Sequence, residues 1–490
     1  MITLNQLIKN NKNIVLELDE DKVIKIEGDL ILTEPIIVDG NGATVEGNGE
    51  NRIIICGSDI TFKNINFTDF FNVFEINGMG SEIRNIEIEN CNFSKYRRNA
   101  IFVASTKSHS AIKHLEITDC YFKGPGLTKY DDECFGVYGV MLQCVCATDH
   151  DDVTDCTVED VRIAHCKSDS FNRCAVWIAC GCSTNLPHGL EKDYYGHTSD
   201  LLMKDVIIED NDFHDSWDAT INVITAMANQ DDTLLENLTI RNNIVEQGIW
   251  GIFVIVGEPL IDRTNNIRVK NVVISDNTIY LRKGGAGEAS YGIAVMAGRL
   301  DYFPGSGCDN CSTENVIITR NNIRDVTCGM IITCTDSLVD GPDCTLTNCR
   351  LENVEIMDNH IHNVEKAFQF LGTWMEGRSF DYNIGVPLRN KRWCEFINNH
   401  KTVTVQAENN VLKHVICRNN HIDGYRYQYF IAGAYAHGHC RIKNNRVEDL
   451  TLENNEFTTG EYHCNIQNVI ADDWVKDEGN YCDEKVKWSI

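Results

Sequence analysis

Apolar and polar residues alternate with a period of two along much of the chain, within a recurring octet. The octet reads apolar, any, apolar, any, usually Asn or Asp, Asn or Cys, any, apolar. It appears as Ile86-Glu-Ile-Glu-Asn-Cys-Asn-Phe93 and as Leu115-Glu-Ile-Thr-Asp-Cys-Tyr-Phe122. It returns from Val206 to Phe213, Leu238 to Val245, Val272 to Ile279, Val316 to Ile323, Val354 to Ile361, Val415 to Ile422 and Leu450 to Phe457. Ile60 to Phe67 and Val161 to Ser168 are weaker copies. Alternation predicts a strand with one apolar face. The Asn step predicts a turn, because Asn tolerates the left-handed region and its amide bonds locally. A second short strand is predicted after each turn, starting at Ala100, Gly139, Ala175, Gly251, Gly292, Gly329 and Ala367.

Successive copies start 26 to 61 residues apart, so each unit buries its apolar face only against its neighbours. The reading is a stacked parallel β-helix of about ten or more coils, one per octet. Equivalent residues then form columns. Cys91, Cys120 and Cys166 share one with Asn211, Asn243, Asn277, Asn321 and Asn359, where the amides would form a ladder. Residues 3–10 predict a short capping helix, and residues 471–490 are acidic and break the pattern. The chain divides into a cap with first coils (1–51), repeats (52–460) and a terminal cap (461–490), as one domain.

The Asn-turn octets between about residues 52 and 460 resemble the right-handed parallel β-helix superfamily, the pectate-lyase-like group. The resemblance implies an all-β solenoid. It also implies a carbohydrate-related role, since the group holds polysaccharide lyases, glycoside hydrolases, sugar epimerases and phage tail proteins. Its enzymes carry a cleft along one sheet, walled by loops. The matching sheet here is the strand series after each Asn turn, followed by insertions at 181–202, 256–268, 298–313, 334–349 and 373–402.

Composition narrows the partners. The 490 residues hold 44 Lys and Arg against 72 Asp and Glu, a net charge of −28. Phosphate binding rests on Lys and Arg displacing counterions, so nucleic acid is a poor fit, as is an anionic membrane surface. A strongly anionic polymer is disfavoured more mildly. No apolar run approaches a membrane span, and the N-terminus shows no secretory signal, so the expected location is cytoplasmic, or secreted if a leader has been removed. The 22 cysteines then read as reduced, packed thiols.

Outward positions on the cleft sheet include Phe102, Met141, Trp177, Phe253, Ala294, Ile331 and Gln369. So apolar a stripe is either a sugar platform, a subunit interface in a homo-oligomer (dimer or trimer), or a surface covered by long loops. Trp217, Trp250 and Tyr291 lie before strands of this sheet, and Trp374 after one; all four are candidate sugar-stacking residues.

Glycoside cleavage needs two carboxyl groups about one bond, ~5–5.5 Å apart for retention or ~6.5–9.5 Å for inversion. Phe213-His214-Asp215-Ser216-Trp217-Asp218 enters a central strand with two acids and a His beside a Trp. Asp215 and Asp218 are the first candidate pair, with Glu258, after the next strand, as a third. His214, Arg299, Glu376, Asp131 and Asp132 are candidate substrate contacts. The same carboxylates could equally be loop acids that cap turns.

Motifs of related enzymes are not reproduced. Polygalacturonase-type pieces occur only fused, in Gly438-His439-Cys440-Arg441-Ile442-Lys443, so that activity is not carried over. Neither Asp131-Asp132-Glu133 nor Asp149-His150-Asp151-Asp152 reproduces a lyase motif. Cys308-Asp-Asn-Cys311 is half a zinc spacing, with Cys328, Cys334, Cys344 or Cys349 able to complete it, but packing explains these thiols as well. No metal or cofactor is expected. The favoured function is a glycoside hydrolase or intramolecular glycosyl transferase acting on neutral oligo- or polysaccharide through paired carboxylates. Alternatives are a lyase or uronate epimerase, and a non-catalytic trimeric binding or tail-like β-helix.

Overall fold

The computed structural model describes residues 3–11, 13–124, 137–146, 152–170, 173–181, 196–216, 218–227, 229–259, 263–281, 290–300, 306–337, 344–377, 405–438, 440–471, 476–478, 481–482 and 487–489. About 73% of the structure is strand, in the parallel sheets of a right-handed β-helix. The one helix among the described residues, Leu4–Asn10, starts at Thr3, whose side chain and Gln6 form a reciprocal capping box. No helix among the described residues is long and apolar enough to cross a membrane.

The octets stack in register. Ile60 pairs with Ile86, Ile86 with Leu115, Leu115 with Val161, and Val161 with Val206. The series continues through Leu238, Val272, Val316, Val354 and Val415 to Leu450. Two further strands precede them within residues 1–51, where first coils were expected: Val15 pairs with Ile37, and Ile36 with Ile60. The corner after the Ile36 strand carries Gly40-Asn41-Gly42 in place of the usual step.

Each coil turns at residues held in the left-handed region. The first residue of the Asn step takes that role, as at Asn90 (φ 47°), Asp210 (φ 57°) and Asn242 (φ 54°). The second residue points into the tube and ties coil to coil. Asn243 Nδ2 donates to Ile208 O and to Asn277 Oδ1, both at 3.0 Å. The same pattern links Asn211, Asn277, Asn321, Asn359 and Asn420. The thiols of Cys91, Cys120 and Cys166 reach the equivalent carbonyls, at 3.5 to 3.7 Å. A thiol donates more weakly than an amide, so this part of the column relies more on packing.

Apolar residues from most strands fill the tube as one core, with stacked rings such as Phe67, Phe93 and Phe122 continuing from coil to coil. A second apolar cluster lies outside the tube, on the outward face of the long strands that follow each corner. It contains Phe102, Tyr138, Met141, Trp177, Phe253, Ile255, Ala294, Met296 and Ile331. The outward column, Gln369 included, is buried within the single chain. Of the alternatives for this face, the covered one fits: among the described residues it is a buried second core, not an open aromatic platform. An exposed stripe in need of a partner subunit is not there to argue for an oligomer.

Candidate functional site

The long strands that carry the outer cluster include Ala219–Ala226, Trp250–Gly257, Tyr291–Leu300, Cys328–Ser337 and His360–Gly377. Their ends bend. In Trp250–Gly257 the residues Ile252, Val254 and Val256 face the tube, yet the Gly257 Cα also faces inward: a Cβ there would sit 3.0 Å from Cys308 Sγ. Gly298, its partner in the next coil, would meet Cys308 and Cys349 at 3.3 Å. Two consecutive inward positions shift the alternation. Glu258 and Arg299, which follow these glycines, are thereby turned to the outer face.

Two contacts show that this outer face is concave. The Arg299 guanidinium lies 5.7 Å from the Trp250 ring centroid, although Trp250 starts its strand and Arg299 stands near the end of the next. Lys366 Nζ lies 5.5 Å from the Trp374 ring, eight residues on in the same strand by its numbering. Eight extended residues would span about 26 Å. Side chains from opposite strand ends meet because the strands curve into a groove, which these side chains themselves fill. Phe253 lies on its floor, stacked 5.4 Å from Trp250, and Tyr291 stacks beyond Trp250 at 6.3 Å.

A row of charged side chains crosses the groove. Glu258 Oε1 is 3.5 Å from Arg299 Nε, with both side chains almost wholly buried (6% and 5% exposed). Arg299 pairs in register with Asp336, and Asp336 with Trp374. Asp336 is also buried, and Trp374 packs edge-on against Tyr435 at 5.3 Å. Burying ions costs several kcal/mol each unless they are paired. Buried charge on the outward side of a sheet is the kind of feature that marks a functional site.

Among the sequence candidates, Glu258, Arg299, Trp250, Tyr291 and Trp374 thus converge on one groove. Asp218 directly precedes strand Ala219–Ala226, whose Ala219 pairs with Trp250. It accepts from Arg173 (Nη2 at 3.0 Å, Nε at 3.2 Å) and from its neighbour's backbone, Ala219 N, at 2.9 Å. Arg173 also donates to the Tyr138 hydroxyl at 3.3 Å, and burial pushes that phenol well above its ordinary value. Tyr138 in turn stacks on Trp177 at 5.0 Å. Asp215 occupies a left-handed corner (φ 60°), equivalent to Ser170 and Gln247 in adjoining coils. His214 bonds Asp212 at 2.7 Å and faces Glu246 at 3.6 Å, a surface network one strand away. Trp217, Asp131 and Asp132 lie outside the described residues, as does the side chain of Glu376.

Asp336, Arg173 and Lys366 were missed in the sequence. Their signal was register alone: Asp336 stands five residues after the outward Ile331, as Arg299 stands five after Ala294. Cys308, Cys311 and Cys349 are buried behind the bend, where burial pushes the Cys308 thiol up, and they serve as its packing. Among the described residues no group of three or more His, Cys, Asp or Glu is arranged to hold a metal. A shallow recess of about 240 Å³ on the octet face is lined by Glu87, Glu89, Glu116, Asp119, Arg162 and His165. Its Arg162 is already spent on Glu209, at 2.8 Å.

No family model matches the chain, and no curated protein matches it. Solved structures show a distant likeness. The Streptococcus pneumoniae surface protein and adhesin PfbA is 11% identical, with 95% of this chain and 94% of that one covered and a TM-score of 0.37. A mannuronic acid specific polysaccharide family 6 lyase from human gut microbiota is 10% identical over 91% and 81%, with a TM-score of 0.27. A hyperthermoactive exopolygalacturonase from Thermotoga maritima is 14% identical over 82% and 84%, at 0.25. Likeness at this level carries no argument about activity, which rests on the groove.

Proposed function

We propose that the protein is a carbohydrate-active enzyme that cleaves a glycosidic bond in this groove, with Glu258 and Asp336 as the working carboxyl groups. The observation that carries the reading is the buried Glu258–Arg299 pair on the outer face, with Asp336 in register beside Arg299. Glu258 and Asp336 stand two coils apart, about 9–10 Å at ~4.8 Å per coil. That backbone spacing is wider than a retaining pair needs and favours inversion.

The roles follow from surroundings. A guanidinium favours the ionised form of its neighbour, so Glu258 serves as base. It takes a proton from water as the oxygen attacks the anomeric carbon. Asp336, across Arg299 from Glu258, serves in this reading as acid and protonates the leaving glycosidic oxygen. Trp250 and Tyr291 border the bound sugar, and Arg299 fixes Glu258. Of the other candidate acids, Asp218 holds Arg173 and Asp215 forms a coil corner.

Arg299 between two acids also favours a second reading, elimination or epimerisation on a uronate whose carboxylate it would neutralise. Incubation with an oligosaccharide panel, with products read by mass, separates the two. Products that sum to substrate plus one water support hydrolysis. Cleavage without water supports elimination. Absence of any turnover across neutral and anionic oligosaccharides counts against both.

A further inference from the structure

Resting on that reading, the floor of the groove names the class of sugar it takes. Gln369 lies between Phe368 and Phe370, which both face the tube, so its side chain points outward into the groove. It is 1% exposed, and neither its Nε2 nor its Oε1 has a hydrogen-bond partner. Because both ends are unmet, exchanging the amide's N and O changes nothing. A buried amide without partners forfeits the hydrogen bonds it makes in water, so such a residue needs an explanation. Five residues on, the Trp374 indole Nε1 is likewise buried and without a partner. Phe430 is the coil neighbour of Gln369, and Lys366 Nζ lies over Phe430 and Trp374, at 5.0 and 5.5 Å. An amide, an indole N–H and aromatic rings thus share one stretch of groove, next in register to Asp336.

We infer that Gln369 and Trp374 form a subsite for a neutral sugar ring presenting two adjacent hydroxyls. The Gln369 Nε2 donates to one hydroxyl, and its Oε1 accepts from the other. The Trp374 N–H donates to a further hydroxyl or ring oxygen, while the rings of Phe430 and Trp374 take the C–H face. A uronate carboxylate fits worse. It only accepts, so it leaves Gln369 Oε1 unmet, and it buries one more charge. Occupation parts Lys366 from Trp374, since these two close over the floor.

The test is binding by titration calorimetry, with neutral oligosaccharides and oligouronates of matched length, on the wild-type chain, Gln369→Met and Trp374→Phe. Met keeps the shape and removes the amide; Phe keeps a ring and removes the N–H. The expected result is wild-type binding of a neutral oligosaccharide at least about tenfold tighter than of the matched oligouronate. Gln369→Met weakens it about tenfold or more without lowering the melting temperature, because an unmet buried amide has been removed. Trp374→Phe weakens it severalfold and covers the case in which Gln369→Met does not fold. Unchanged affinity in both folded variants overturns the subsite alone, as does preference for the oligouronate. A wild-type chain that binds no oligosaccharide overturns both the subsite and the function it rests on.

Discussion

Replacing Asn277 by Ala isolates the term that locks one coil to the next. Asn277 is fully buried and its side chain makes four hydrogen bonds. Its Oδ1 accepts from Asn243 N and Nδ2, both at 3.0 Å. Its Nδ2 donates to Ile240 O at 3.0 Å and to Asn321 Oδ1 at 2.9 Å. At about 1 kcal/mol net per bond the loss is about 4 kcal/mol, and the stranded Asn243 groups and Ile240 carbonyl keep it from being smaller. Asn92 is the control. Its Nδ2 makes a similar amide contact with Asn66 Oδ1 at 2.8 Å, but on the exposed side. Water replaces that bond, so Asn92→Ala costs about 0.5 kcal/mol or less. Urea unfolding of both variants gives the comparison. Native-state hydrogen exchange at the Asn243 amide, which donates to Asn277, reads the same effect locally. Equal costs for the two variants, or unchanged protection at Asn243, would refute the claim that dry amides hold the coils together.

Two further outcomes follow. His114 bonds Asp160 at 2.9 Å, and that hydrogen bond raises its value above the ordinary 6.5. A raised folded value contributes stability at low pH that is lost as pH rises through it. Both groups are well exposed, so His114→Gln lowers stability by only a few tenths of a kcal/mol near pH ~5.5 and by nothing near pH ~8, read by melting temperature across pH. Thiol alkylation of the native chain, mapped by mass, modifies Cys464 and, more slowly, Cys56 among the described cysteines. Buried thiols such as Cys91, pushed up to about 12 by burial, stay unmodified until unfolding.

The stacking was legible because it has a period. All eleven octets read from the sequence pair in register, weak copies included, since a one-residue slip would turn every apolar residue outward. The Ile36 strand lies among the first coils expected in residues 1–51, but its octet was not recognised because glycines replace its Asn step. Alternation also fixed which residues of the long strands face outward. It says nothing of what lies over them, so the covered face read as a possible platform. Local density of acids drew attention to Asp215 and Asp218, whereas the groove gathers Glu258, Arg299 and Asp336 from three coils. Asp336 fell in what read as an insertion from residue 334, while the strand continues to Ser337. The unmet amide of Gln369 has no sequence signature, because a missing partner is a property of three dimensions.

The most direct test of the carboxyl pair follows cleavage of a neutral oligosaccharide by proton NMR, for the wild-type chain, Glu258→Gln and Asp218→Asn. The groove geometry predicts that the first product anomer is opposite to that of the substrate. It also predicts that Glu258→Gln loses at least about a hundredfold in kcat while remaining folded, with Asp218→Asn keeping measurable turnover. Retained anomeric configuration, an unsaturated product, or full turnover by Glu258→Gln would contradict the assignment.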